Sequence, residues 1–378
     1  MYSDLVNEFK NKGHNIYPIA PSINKVAKSY LTQENGIDVL RIRTMNIYSK
    51  NLIKKGLANI FLSYQYKKAF SHFWHTRKFD AILVATPSVM FSNFVSYMRC
   101  RDKAVVYLMQ KDIFPQNAVD LGMIKKNGIL YYFFRYNEVK LLKNVDYIGC
   151  TSPGNIEYMI KHNDFLKREQ CQLLYNSSNI LSICECDLGN RIRLNFENKF
   201  VVVFGGNMGK PQQLENVLYL AKRCEVFKDV IFLLIGKGTE TSELREQINT
   251  RDICNIVFED KLDRNEYFTV LSKCNIGLIS LHKNFTVPNT PMKLNDYLNA
   301  GIPVLASIDR DNDLGRILEE NRMGLFAYAD SPNDLFEKFK RLYFNEELCR
   351  EYAKNGKKFC LNNMSTEKAY NIIISKLK

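Results

Sequence analysis

Short apolar runs separated by helical periodicities recur along the whole chain. In the first half they fall at residues 16–21, 38–43, 81–86, 104–109, 147–151 and 172–175. In the second half they fall at 200–204, 230–235, 255–258, 276–280, 303–307 and 325–328. Several, such as Val-Ile-Phe-Leu-Leu-Ile at 230–235, are apolar throughout. Parallel strands covered on both faces have that pattern, because neither face meets water. Strand–helix alternation of this kind implies βαβ units, so two such series predict two doubly wound, Rossmann-like α/β domains. The pattern lapses over 176–198, where the chain is polar. The predicted organisation is therefore a domain over 1–178, a linker over 179–198, a second domain over 199–365 and a last helix over 366–378.

The start of the chain departs from this scheme. Residues 4–12 read as a helix, Gly13 supplies a left-handed stop, and the first strand follows at Ile16. A doubly wound domain opens with a strand and a glycine-rich turn. Both are expected to be missing here, from a short domain or a lost start.

Charge changes the picture next. The 378 residues carry 53 Lys+Arg against 40 Asp+Glu, a net of +13. Residues 1–178 hold 25 basic and 13 acidic side chains, whereas the remainder is nearly neutral. Between Asp38 and Asp80 there is no acidic residue, yet Lys50, Lys54, Lys55, Lys67 and Lys68 all occur there, with aromatics such as Tyr64 and Trp74 between them. Ile53, Leu57, Ile60 and Tyr64 share one helical face. A basic, aromatic-bearing amphipathic helix within 39–79 points to an anionic membrane surface, with Lys50, Lys54, Lys55, Lys67, Lys68 and Trp74 as its contacts. The alternative is a packing helix with solvated lysines. No zinc-finger spacing, RNA-recognition motif or helix-turn-helix pattern supports a nucleic-acid partner. No run reaches the ~20 apolar residues of a membrane span, and no signal-peptide h-region opens the chain. Ten cysteines lack metal-ligand spacing; Cys184-x-Cys186 is an isolated pair, and reduced core thiols are expected.

Candidate chemistry gathers at three predicted strand ends, where ligands of open parallel sheets bind. Gly205, Gly206, Asn207 and Gly209 form a glycine-rich turn before a helix, which can bring backbone amides to a phosphate. Gly236 and Gly238 follow the next strand. At the third end, Thr290 reads as an N-cap and Pro291 as the first helical residue. Lys293 then puts a cation in the first turn, which is unfavourable to the helix and suits an anionic ligand. Asp296, one turn on, can accept hydrogen bonds from sugar or ribose hydroxyls.

Together these residues resemble the retaining family-4 glycosyltransferases, whose GT-B fold sets two Rossmann-like domains across a cleft. Residues 293–307 are similar to the family's nucleotide-binding signature, and Gly301-x-Pro303-Val304 falls in its order and spacing. Gln110-Lys111-Asp112-Ile113-Phe114-Pro115-Gln116 looks like the cleft-facing loop of the bacterial surface-polysaccharide subgroup. The family's E-x₇-E pair corresponds to Pro288 and Asp296, so the first carboxylate is absent. The resemblance implies a nucleotide-diphosphate sugar donor held by the second domain and a lipid-linked saccharide acceptor held by the first. It also implies a cytoplasmic location, peripheral on the inner face of the plasma membrane, and a last helix returning to the first domain. Asp112 and Lys293 are the candidate catalytic residues. Gly205, Gly206, Asn207, Gly209, Gly236, Gly238, Thr290, Lys293 and Asp296 are the candidate donor-binding residues. No metal and no cofactor are expected, because Lys293, the helix start and the loop amides can meet the diphosphate charge. An inactive sugar-nucleotide-binding remnant and a GT-B-fold epimerase are the alternatives.

Other constellations carry less. The series Asp309, Asp311 and Asp313 contains a DxD and imitates a calcium loop, but Leu314 occupies the glycine position, leaving a helix-capping turn. His72-x-x-His75 lacks a third ligand, and His282 sits near a strand end.

Overall fold

The computed structural model describes residues 2–22, 26–45, 58–86, 89–180 and 195–377. Lys50, Lys54, Lys55, Ile53, Leu57 and the Cys184–Cys186 pair lie outside them. The chain divides into two compact units, residues 1–174 with 369–378, and residues 175–368.

The first unit contains a small sheet of β1 (Ile19–Pro21), β2 (Tyr30–Glu34) and β3 (Ile37–Ile42) in the order β1-β3-β2. β2 was not expected from the pattern, since its only large apolar residues, Tyr30 and Leu31, are exposed. The local signal was Asn35-Gly36, whose φ values of 52° and 68° make the tight turn that joins antiparallel β2 and β3. A second sheet runs β4 (Ala81–Ala85), β5 (Val105–Gln110), β6 (Tyr147–Cys150) and β7 (Cys171–Leu173), all parallel. The opening helix Tyr2–Asn11 stops at Gly13, where φ is +88° and the amide donates to the Lys10 carbonyl. Its Leu5 and Phe9 share a core with Tyr107, Met109 and with Ala369 and Ile373 of the last helix, Thr366–Leu377.

Trp74 corrects one expectation. It is 2% exposed, packed edge-on against Tyr17 and among Leu40, Ile42 and Phe70. A side chain so enclosed cannot touch a bilayer. Lys67 and Lys68 are exposed, with the Lys67 ammonium 4.2 Å from the Tyr97 ring centre.

The second unit is one parallel sheet of six strands: β8 (Phe200–Gly205), β9 (Val230–Ile235), β10 (Ile256–Glu259), β11 (Ile276–Ser280), β12 (Val304–Ile308) and β13 (Gly324–Tyr328). Their order is β10-β9-β8-β11-β12-β13. Chain order reverses between β8 and β11, so the loop after β8 opens at the switch point where such sheets bind ligands. β8, β11 and β12 are almost wholly buried, as their largely apolar sequences require. The unit begins at Tyr175, not after Ser178, because Asn295 draws the following segment in. The Asn295 amide donates to the carbonyls of Asn176 (3.1 Å) and Met364 (3.0 Å), and the Ser178 hydroxyl donates to its side-chain oxygen. The linker expected over 179–198 lies mostly outside the described residues, and the polar side chains just before it turn inward because they have buried partners.

Candidate functional site

The loop after β8 and the loop after β9 are laced together through their backbones. The Gly206 amide donates to the Ile235 carbonyl at 2.9 Å, the Met208 amide to Lys237 at 3.1 Å, and the Glu240 amide to Met208 at 3.0 Å. Gly206 and Gly236 have φ of 121° and 134°, conformations that side chains oppose. A Cβ on Gly236 would overlap the Gly206 carbonyl, and one on Gly238 the Met208 carbonyl. Gly205 is pressed by the Tyr267 hydroxyl, and its amide donates to the Tyr297 hydroxyl at 2.9 Å. The Gly209 amide donates to the Gln212 side chain, which also accepts from Asn207.

This lacing corrects the expected role of the amides. Those of Gly206, Met208 and Gly209 already have acceptors within the chain, so they do not stand ready for a phosphate. The glycines instead let two loops approach closely enough to pair.

Lys293 places an ammonium beside this turn. The helix carrying it spans Met292–Ala300, and its N-cap is Pro291, whose ψ of 147° is extended. Thr290 therefore lies one residue before the cap, not at it. Its hydroxyl is buried without a partner among the described residues, and its carbonyl accepts from Asn176 at 2.6 Å. The Lys293 stem is partly exposed, yet its ammonium is sealed from solvent and has no hydrogen-bond partner among the described residues. It lies 3.4 Å from the centre of the Phe204 ring, beside Gly206. Burial pushes its pKa down to about 7, against the pull of Asp296. An ammonium without a hydrogen-bonded anion is costly to bury, so this is a place where an anionic ligand would be stabilising. Phe204, the strand residue beneath the ammonium, was missed in the sequence because it read only as core.

Asp309 was also undervalued. It follows β12 and is 1% exposed; one carboxyl oxygen accepts from Asn312 and the other has no partner among the described residues. Burial pushes its pKa up to about 7. An aspartate directly after a buried, largely apolar strand was the available signal. His282 sits where its backbone amide meets the Pro211 carbonyl, and burial with nearby Lys210 holds its imidazole below the usual range. Among the described residues, no group of three acidic, His or Cys side chains is placed to hold a metal ion.

In the first unit, the amides of Lys111 and Asp112 both donate to the Thr86 hydroxyl, at 2.8 and 3.2 Å. The Gln110 side chain donates to the Asp112 carbonyl. β5 thus ends in a braced turn carrying two half-buried, opposite charges. Burial pushes the Lys111 amine down to about 8 and the Asp112 carboxyl upward, each opposed by the other.

Residues 190–359 match the family described as Glycosyl transferases group 1. The second unit holds a group 1 glycosyltransferase domain. The protein is accordingly a transferase, and its fold is that of the GT-B glycosyltransferases. An uncharacterized glycosyltransferase of Methanocaldococcus jannaschii is 21% identical, over 95% of this chain and 88% of its own. Sucrose-phosphate synthase from Thermosynechococcus elongatus has a TM-score of 0.77 at 15% identity, covering 98% of this chain and 90% of that one. HepE from Anabaena, solved in complex with UDP, has a TM-score of 0.65 at 14% identity, covering 85% of this chain and 83% of that one.

Proposed function

We propose that this glycosyltransferase moves a sugar, with retention, from a nucleotide-diphosphate donor at the second unit to a lipid-linked saccharide during surface-polysaccharide synthesis, working at the inner face of the plasma membrane. The observation that carries the donor assignment is the sealed Lys293 ammonium at the switch point of the sheet, without a hydrogen-bond partner among the described residues. Cleavage of a sugar–diphosphate bond concentrates negative charge on the departing phosphate. A cation already in place and already desolvated stabilises that charge without reorganising. The solved neighbour with UDP supports a donor of this kind. Asp296 is assigned to sugar or ribose hydroxyls. Retention fits a reaction in which the departing diphosphate helps take the acceptor proton. Asp112, with Lys111 beside it, is assigned to orienting the acceptor, and the resemblance of the 110–116 loop supports the polysaccharide class.

The test is a thermal-shift panel of nucleotide sugars on the wild type and on Lys293→Ala. A ligand that binds only the folded chain raises its melting temperature. A selective shift that is lost in Lys293→Ala supports the assignment; an undiminished shift overturns it.

A further inference from the structure

One helix of the first unit is turned inside out. The segment Ile129–Leu142 buries Asn137 and Glu138 with Leu141 and Leu142, while Ile129 is 90% exposed and Tyr136 66%. Leu130, Tyr132 and Phe133 are exposed beside them, and Met123 precedes them on the approach to the helix. The polar side chains have found inward partners. Ser92 and Asn137 meet at 3.2 Å, and Glu138 accepts from Arg135 at 2.6 Å. The apolar and aromatic side chains of its first two turns face out, and a contiguous exposed apolar face marks a surface with a partner.

We propose that this face is the seat of the protein on an anionic bilayer. The inference rests on the membrane location proposed above and moves its contacts away from Trp74. Charge selects the partner. Between Asp120 and Glu138 there is no acidic residue, while Lys125 and Lys126 are exposed at the foot of the helix. Arg135 is turned inward to Glu138 and to the His162 carbonyl. Aliphatic side chains for the acyl boundary, tyrosines for the headgroup level and lysines for anionic headgroups make an interfacial helix.

The described part of the basic stretch read in the sequence also carries exposed apolar side chains. The Ser63 hydroxyl of the helix Leu62–Phe73 donates to the Met90 carbonyl at 2.6 Å, in the turn Val89–Phe91 that leads to Ser92. Both helices are therefore pinned to one short segment. Ile60, Phe61 and Tyr64 at the start of the first are exposed as well.

The test is co-sedimentation of the full chain with phosphatidylglycerol or phosphatidylcholine vesicles. The wild type, the pair Ile129→Asp with Leu130→Asp, and the pair Lys125→Glu with Lys126→Glu are compared. All four positions are exposed, and unchanged circular dichroism verifies folding. The expected result is salt-sensitive binding to phosphatidylglycerol alone, weakened at least ~10-fold in each pair, since each lysine near an anionic surface is worth roughly a fivefold factor. Wild-type binding retained by both pairs overturns the proposal, as does no binding by the wild type. A wild-type dimer that Ile129→Asp with Leu130→Asp separates also overturns it, in favour of a second copy. Nucleotide-sugar thermal shifts run in parallel keep the two readings apart. Their loss with vesicle binding intact refutes the donor site alone, and the converse refutes the docking face alone.

Discussion

The Lys293 ammonium stands 3.4 Å from the centre of the Phe204 ring, sealed from water, with no hydrogen-bonded anion among the described residues. The ring face offsets part of the desolvation, but the pKa of about 7 against a usual 10.5 shows that burial prevails. The buried ammonium is therefore destabilising at this point, and a bound anion there would be favourable.

Lys293→Met is therefore expected to stabilise the unliganded protein while abolishing nucleotide binding. The folded amine loses its proton near pH 7 and the unfolded one near 10.5, so the unfolded chain binds more protons between those values. Stability due to this group rises with pH across that window and is lowest below 7. Thermal unfolding from pH 6 to 10 should show that rise in the wild type and a flatter profile in the variant. Near neutrality the gain should be about 2–4 °C for each kcal/mol recovered.

Binding should carry the opposite slope. A diphosphate prefers the protonated amine, so UDP affinity should fall as pH climbs from 6.5 to 8.5, with proton uptake on binding. Calorimetry in buffers of different ionisation enthalpy measures that uptake. Equal uptake in the wild type and Lys293→Met would contradict the assignment.

Gly236→Ala should be costly although it adds one methyl. The backbone there has φ of 134°, and the methyl would overlap the Gly206 carbonyl. A loss of roughly 2–4 kcal/mol is expected in denaturant unfolding. Donor binding should be lost with it, since the two loops can no longer pair.

Asn295→Ala removes the donors to Asn176 and Met364 and the acceptor of Ser178 at once. Buried partners left without bonds cost about 1–3 kcal/mol each, so a destabilisation of several kcal/mol is expected. Proteolysis should then begin near residues 175–180, as their attachment to the second unit loosens.

Asp112→Asn should separate the two substrates. Loss of the carboxylate removes one of the influences, after that of Cys150, that oppose the burial of Lys111, which lowers the amine further. Transfer to acceptor is expected to drop at least ~10²-fold, the scale of a positioned polar group. The nucleotide-sugar thermal shift should remain, because Asp112 belongs to the first unit and Lys293 to the second.

Periodicity was enough to read β4 to β13 to within a residue or two, the stop at Gly13, and the strand ends where Lys293 and Asp112 sit. It succeeds because a strand buried on both faces has to be apolar wherever it stands, a condition each segment meets alone. The direction of the helix Ile129–Leu142, the enclosure of Trp74, the inward course of Asn176–Ser178 and the pairing of β2 through Asn35-Gly36 depend on distant partners. So does the fate of the loop amides. Whether Gly206 offers its N–H to a phosphate or to Ile235 is settled by a second loop 30 residues away in the chain. A hydrogen bond belongs to two groups at once, and a burial pattern records only one of them.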